Sequence, residues 1–349
     1  MKRTLIAGVV ACVVVAVAAI CVPWSFGFPH RGSGDQHVLD TTGPYLSHGY
    51  RREAAVAIIP PSGEPSFAGW GADENTVFEI GSITKTFTAH LLADAIERQE
   101  ISADTRVDNV FDELKGTSAG KVTMEQLATH TSGLPRFTDV NMGSNLTRKD
   151  PYTADLPQFL ESVADLDVTP GEIAYSNTGY ALLGQAVAKK AGKDYPTLVR
   201  ERLLEPLGMD QTTVPTTPDD LPADRPTGYT AKGLPAGAWT MHANAPAGSI
   251  RSTTKDISTW LIAVRDGKAP GSSVEPTKVR AEEDTKKLGL AWNTKEEDGA
   301  TVIWKNGGTG GYTSFAGFNA NGDGVVVLNN TATNSDDVID YLFDAEDKK

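Results

Sequence analysis

The stretch "FEIGSITKTFTA" (78–89) carries a short apolar run into Gly81, then sets Ser82 at the start of a helix-like pattern with Lys85 three residues on. Phe87, Leu91, Leu92, Ala95 and Ile96 continue at helical spacing, so a strand, a glycine turn and an amphipathic helix follow one another. At i and i+3 a hydroxyl and an amine share one helix face. Two readings of this segment are open. Ser82 caps the helix, the commonest use of such a serine. Alternatively it is a nucleophile with Lys85 as its base, aided by the N–H groups of the helix start, which favour developing negative charge.

The flanking sequence sets the fold. "AAVAIIP" (54–60), "PSFAGWG" (65–71) and "TVFEI" (76–80) read as an antiparallel meander. Residues 100–265 are mostly helical pattern. "TMEQLATH" (123–130) opens on a Thr123-x-x-Gln126 capping signal. "YSNTGYALLGQAVAKKAGK" (175–193) stops at Gly192, and "KDISTWLIAVRDG" (255–267) at Gly267. The proline-rich section 214–247 holds no clear element and reads as a surface excursion. Strands return in "KLGLAWNT", "TVIWKN", "GYTSFAGF" and "GVVVLNN", with a hairpin turn at Asn321-Gly322, and a helix closes the chain over 335–347. Strands at both ends with helices between predict an α+β fold. The N- and C-terminal segments share one mainly antiparallel sheet flanked by helices, and the centre forms a helical lobe.

A net charge of -13 over 349 residues excludes a nucleic-acid partner, which needs a basic face. Lys2 and Arg3 precede an uncharged stretch from Leu5 to Trp24, which predicts an export leader. The stretch is long enough to span a bilayer, so residues 1–28 are expected to stay as a membrane anchor with the body outside the cytoplasm; cleavage at Ala16-Val17-Ala18 is the alternative, giving a secreted protein. Residues 29–48 read as a spacer and 49–349 as the folded domain. Both cysteines, Cys12 and Cys21, lie in the leader, so the folded part has no thiol nucleophile and no disulfide. The six histidines lack metal-site spacing, and no cofactor is expected. His130 reads as structural and His90 as an ordinary helix residue. Asn145-Leu-Thr147 and Asn329-Asn-Thr331 match glycosylation sequons.

S-x-x-K occurs three times, at Ser82, Ser118 and Ser252, so at least two occurrences are accidental. Ser118 sits in "GTSAG" but lacks the apolar strand and following helix of a nucleophile elbow. Ser252, in "RSTTKDIS", reads as a helix start. Ser82 alone has a strand, a glycine and a long helix. Its companions decide between the two readings. Tyr175-x-Asn177 is the one Y-x-N in the chain, and Lys305-x-Gly307 leads a strand into a glycine-rich turn.

With "GSITKTFTA", "LATHTSGLP", "YSNTGY", "APAGSIRSTTKDISTWL" and "KNGGTGGYTSF" in this order, the sequence over about residues 50–345 resembles the serine β-lactamase and penicillin-binding superfamily, on the class C β-lactamase branch. The resemblance implies Ser82 as the acyl-forming nucleophile, Lys85 as its activating partner and Tyr175 as base or proton shuttle. It implies Asn177 as a contact to the substrate amide, Lys305 as the cation of the third motif, and Gly307 and Thr309 on the substrate-binding edge. The N–H groups of Ser82 and Gly308 would form an oxyanion hole. An unperturbed lysine or tyrosine stays protonated at neutral pH. Packing Lys85, Tyr175 and Lys305 together is expected to weaken each one's hold on its proton. Two departures stand out: Asn306 replaces the threonine of the Lys-Thr-Gly of true β-lactamases, and Lys305 stands where many esterase-like relatives carry histidine. The expected function is hydrolysis of β-lactams or D-amino-acid peptides through an acyl-enzyme. The alternatives are an esterase of the same fold and a sensor that is acylated without turnover. Partners would be a small-molecule or peptidoglycan-type substrate, and the oligomeric state is left open.

Overall fold

In the computed structural model, which describes residues 28–141, 149–223 and 225–347, the two ends of the chain meet in one sheet. The first strands are β1 (Gly32–Gly34), β2 (Ala54–Ile59) and β3 (Ser66–Trp70). Two short ladders stand apart: β4 (Phe78–Glu79) pairs with β7 (Arg251–Ser252), and β5 (Gly228–Tyr229) with β6 (Pro235–Ala236). The later strands are β8 (Ala281–Glu283), β9 (Lys286–Leu288), β10 (Asn293–Glu297), β11 (Ala300–Gly308), β12 (Thr313–Asn319) and β13 (Gly324–Asn329). Among the described residues the large sheet runs β1-β3-β2-β13-β12-β11-β10-β9-β8, every neighbour antiparallel.

Period-two alternation divides its side chains between two cores. Val56, Ile58, Val325, Val327, Phe315 and Val302 face one core, and Ala55, Ala57, Ile59, Val326, Leu328 and Ala316 the other. Because both faces are covered, β2 is buried at all six positions. The α-helices longer than one turn are α1 (Gln36–Leu46), α2 (Thr84–Glu97), α3 (Met124–Ala128), α4 (Leu156–Ala164), α5 (Asn177–Ala191), α6 (Tyr195–Val199), α7 (Thr254–Arg265) and α8 (Ile339–Asp347). Helices α1 and α8 cover the first face, while α2, α7 and the lobe of α3 to α6 pack on the second. Helix ends follow the expected chemistry: Thr123 and Gln126 form the capping box of α3, and α5 ends at Gly192 in the left-handed region. The α+β fold with shared terminal strands stands as expected.

Three local readings change. Residues 29–48 are not a spacer: β1 extends the sheet, and α1 buries Val38, Thr42 and Leu46 against it. Asp35 caps α1, accepting from the N–H groups of His37 and Val38. Gly43 and Pro44 masked this helix in the sequence, but Pro44 falls near its end, where tertiary packing outweighs propensity. The "TVFEI" strand leaves the meander, since β4 pairs with β7 through Phe78–Ser252 and Glu79–Arg251. The proline-rich excursion returns inward: Ala243 to Ile250 are buried beneath α5.

The expected leader, with Cys12 and Cys21, lies outside the described residues save for Phe28, as does Asn145. Among the described residues no helix is long and apolar enough to cross a membrane. Asn329 is fully buried, its Nδ2 donating to Thr313 and Ser335, so this sequon is unavailable to a glycan.

Candidate active site

Gly81 adopts φ +49°, turning the chain from β4 into a 3-10 turn (Gly81–Ile83) that runs directly into α2. No side chain caps either helix start. Ser82 Oγ instead lies 2.5 Å from Tyr175 Oη and 3.0 Å from Lys85 Nζ. The end of β11 presses against this turn. A Cβ on Gly307 would sit 2.0 Å from Ile80 O and 2.8 Å from Ser82 N, so only glycine fits there. A Cβ on Gly81 would lie 2.6 Å from Gly308 N, which places the main chains of the two segments side by side.

Lys85 is completely buried. Besides Ser82 Oγ, its Nζ donates to Asn177 Oδ1 at 2.8 Å and to the Ala247 carbonyl at 2.6 Å. Burial lowers its pKa well below the ordinary lysine value, and the nearby Lys305 and Arg136 cations lower it further. A neutral amine has two N–H donors and one lone pair. Asn177 Oδ1 and Ala247 O can only accept, so they take both donors and leave the lone pair for the Ser82 hydroxyl. In that neutral form the amine faces the Ser82 hydroxyl with its lone pair; as an ammonium it donates to Ser82 Oγ as well.

Tyr175 moves the other way from the sequence expectation. Burial pushes its phenol up to about 12, and the Ser82 hydrogen bond and Arg136 only partly offset this. Desolvation of the phenolate outweighs the Arg136 cation, although the Lys85 and Lys305 nitrogens and the Arg136 guanidinium stand 4.9, 5.2 and 5.4 Å from its ring centre. Its resting form is the neutral phenol, a proton donor. Lys305, projecting from β11, is buried, and that burial brings its pKa down to about 8.

The second motif is placed by α5. Ser176 caps this helix, accepting from Gly179 N–H at 2.8 Å, while its own N–H donates to His130 Nδ1 at 3.1 Å. His130 therefore holds the Tyr-Ser-Asn segment against the turn after α3, the structural role its motif suggested. Asn177 is engaged within the protein on both amide atoms: Oδ1 accepts from Lys85, and one Nδ2 hydrogen goes to Tyr152 Oη at 2.7 Å. Thr309 also departs from expectation. Its hydroxyl is buried next to Glu79, which is ion-paired to Arg251, rather than offered to the cleft.

Ser118 and Ser252 are structural. Ser118 Oγ donates to Leu166 O and accepts from Val168 N–H. Ser252 lies buried on β7 with its hydroxyl 2.7 Å from that of Thr212, and Thr253 caps α7. His90 is buried on α2, donating Nδ1–H to Pro270 O. Sequence reasoning missed Ala247, Tyr152 and Arg136. Ala247 contributes a carbonyl that no side-chain pattern reveals, and Tyr152 and Arg136 lie in loops whose approach depends on the lobe's packing.

A serine hydroxyl beside a buried lysine, set where an antiparallel sheet meets a helical lobe, fits a serine hydrolase of the β-lactamase and penicillin-binding type. The chain belongs to the β-lactamase family, whose family model (Beta-lactamase) matches residues 39–348. The D-alanyl-D-alanine-carboxypeptidase/endopeptidase AmpH of Escherichia coli K12 is 24% identical over 345 residues, covering 90% of this chain and 88% of AmpH. Penicillin-binding protein 4 of Amycolatopsis lactamdurans is 31% identical over 210 residues, 56% of this chain, and the match spans about half (53%) of that relative's length. A β-lactamase of Escherichia coli K12 is 28% identical over 217 residues, 59% of this chain and 55% of that protein. A solved class C β-lactamase shares the fold with a TM-score of 0.75 at 22% identity, covering 89% of this chain and 96% of that one.

Proposed function

We propose that the protein hydrolyses D-alanyl-type peptide bonds or β-lactams through an acyl-enzyme on Ser82. One observation carries this reading: Lys85 Nζ, 3.0 Å from Ser82 Oγ, has both its amine donors engaged by Asn177 and Ala247. The full-length match to AmpH favours the peptide substrate, and Lys305 supplies a buried cation for a substrate carboxylate.

In this reading the Ser82 proton moves to Lys85 Nζ as Oγ bonds to the carbonyl carbon. The oxygen takes the negative charge between the N–H groups of Ser82 and Gly308. As the C–N bond breaks, the leaving nitrogen takes the proton of Tyr175 Oη, which the Lys85 ammonium replaces. Water then attacks the ester carbonyl, its proton passing to Lys85 Nζ; as the C–Oγ bond breaks, Lys85 gives that proton to Ser82 Oγ and the carboxylic acid departs. Export of the body by its N-terminal stretch belongs to the same proposal and rests on Lys2, Arg3 and the apolar run after them; cell fractionation tests it.

The chemical test incubates the full-length protein with acetyl-D-alanyl-D-alanine, a chromogenic cephalosporin and a nitrophenyl ester, with mass detection of adducts. Turnover of the peptide or the cephalosporin, with a Ser82 adduct that Ser82→Ala lacks, is expected. Turnover of the ester alone means an esterase. A permanent adduct means a sensor.

A further inference from the structure

In the proposed mechanism the oxyanion takes one N–H from each of two segments, Ser82 after β4 and Gly308 at the end of β11. The second is the harder to hold. Residues 307–311 read Gly-Gly-Thr-Gly-Gly, and glycine gives up more conformational freedom than any other residue when it is fixed. The β11–β12 ladder closes at the Gly308–Thr313 pair, so the turn beyond it needs other restraints. One backbone bond spans that turn, from Thr309 N–H to the Tyr312 carbonyl at 3.0 Å.

Side-chain restraints on the turn converge on one buried ion pair. The Thr309 hydroxyl stands close enough to the Glu79 carboxylate to stabilise its charge. Among the described residues no other group competes for that hydroxyl or for Glu79 Oε2. Tyr312 sets its phenol beside the Arg251 guanidinium and donates it to the Pro226 carbonyl. Between these two, Trp239 gives its N–H to Glu79 Oε1 at 3.1 Å and lays its indole on Gly310, where a Cβ would lie 3.0 Å from Nε1. Glu79 and Arg251 face each other across β4 and β7, and Glu79 stands three residues before Ser82. Charge-assisted contacts in a low-dielectric interior are strong and directional. One pair therefore grips both segments that supply oxyanion donors, and it touches none of the reacting atoms.

We propose that Glu79 and Arg251 are positioning residues, which hold the Thr309–Tyr312 turn so that the Gly308 N–H stays at the separation from the Ser82 N–H that an oxyanion needs. The proposal rests on the acyl-enzyme reading for what the two N–H groups do; whether the pair holds the turn is a separate question. Loss of one such donor costs about 10²- to 10³-fold in kcat, so a displaced donor is large enough to measure.

The test compares the full-length wild type with Glu79→Gln, Arg251→Lys and Thr309→Val; the last removes the hydroxyl and leaves the ion pair in place. The first readout is the inhibition constant of phenylboronic acid. Ser82 Oγ bonds to boron, the serine proton passes to Lys85 Nζ, and the boron takes the negative charge, so a tetrahedral oxygen meets the two N–H groups. That constant does not depend on how much of the chain is folded, and a loss of stability alone leaves it unmoved. Glu79→Gln is expected to weaken it about tenfold, and Arg251→Lys and Thr309→Val several-fold. The kcat values for a D-alanyl peptide and a nitrophenyl ester should fall by the same factors, with KM held within about twofold. The second readout is amide hydrogen exchange by mass spectrometry. Residues 306–312 should exchange roughly tenfold faster in Glu79→Gln, while β2 and β13 stay as in wild type. Should Glu79→Gln not fold, Thr309→Val carries both readouts. An unchanged inhibition constant, or unchanged exchange over residues 306–312, would overturn the proposal. If the wild type hydrolyses neither substrate and Ser82→Ala binds the boronic acid equally well, the acyl-enzyme reading fails, and exchange over residues 306–312 decides the positioning role by itself.

Discussion

Asn177 Oδ1 accepts a hydrogen bond from Lys85 Nζ at 2.8 Å, tying the second sequence motif to the first. A neutral amide here fixes the amine without adding charge. Asn177→Asp would put a carboxylate in contact with Lys85 and favour its ammonium form, raising its pKa back toward the ordinary lysine value. The free-base fraction at neutral pH then falls. We expect kcat/KM at pH 7 to drop roughly 100-fold, with activity recovering as pH rises. Asn177→Ala should lower activity without moving the acid limb of the profile. pH–rate profiles of both variants check this, and an unmoved acid limb in Asn177→Asp would count against Lys85 as the base.

Tyr175, with its phenol held up to about 12, is placed to donate rather than accept a proton. Its removal should matter in proportion to the leaving group's need for one. Tyr175→Phe is expected to slow hydrolysis of a D-alanyl amide by roughly 10²- to 10⁴-fold. A nitrophenyl ester, whose leaving group departs unprotonated, should be acylated nearly as fast as by wild type. Burst kinetics on the two substrates make the comparison. Equal losses on both would instead assign Tyr175 to activation of Ser82.

Lys305 gives a pH dependence of opposite sign. Its pKa, brought down to about 8, means that the cation is present below that pH and lost above it. KM for a carboxylate-bearing peptide should therefore rise as pH passes through about 8, while KM for a neutral ester should stay level. Lys305→Met should raise KM for the peptide and make it independent of pH over the same range. A peptide KM that is flat in wild type would remove the substrate carboxylate as the partner of Lys305.

Side-chain pattern made the fold and the three motifs of the candidate site legible. The alternation of Val56 and Ile58 against Ala55 and Ala57 marks a strand buried on both faces, and Ser82 lies in the turn that opens α2, Tyr175 two residues before α5 and Lys305 on β11. Contributions made through the main chain or through tertiary approach stayed hidden. The Ala247 carbonyl on Lys85 has no side-chain signature, and β1 joins the sheet by backbone pairing alone, with all three residues exposed. The direction of the Tyr175 shift was misjudged for a related reason. Counting neighbouring cations is possible from a sequence, but the burial that outweighs them is a property of the folded lobe.

The buried ion pair under the site offers a test of stability rather than chemistry. Arg251 Nη2 donates to Glu79 Oε1 at 2.5 Å across paired positions of β4 and β7, and both side chains are almost wholly buried. Trp239 N–H donates to the same carboxylate oxygen, and Thr309, just past β11, packs beside it. Two charges taken out of water repay little when intact, but removing one partner leaves the other uncompensated. Arg251→Met is expected to cost about 3–5 kcal/mol of unfolding free energy. Replacing both, as Glu79→Gln with Arg251→Met, should cost less than the sum of the single changes, because the second change removes the charge that the first one stranded. Urea denaturation of the wild type, the two single variants and the double variant completes the cycle. Additive losses would mean that the pair is not coupled, and that β4, which leads into Ser82, is held in place by its backbone ladder and apolar neighbours instead.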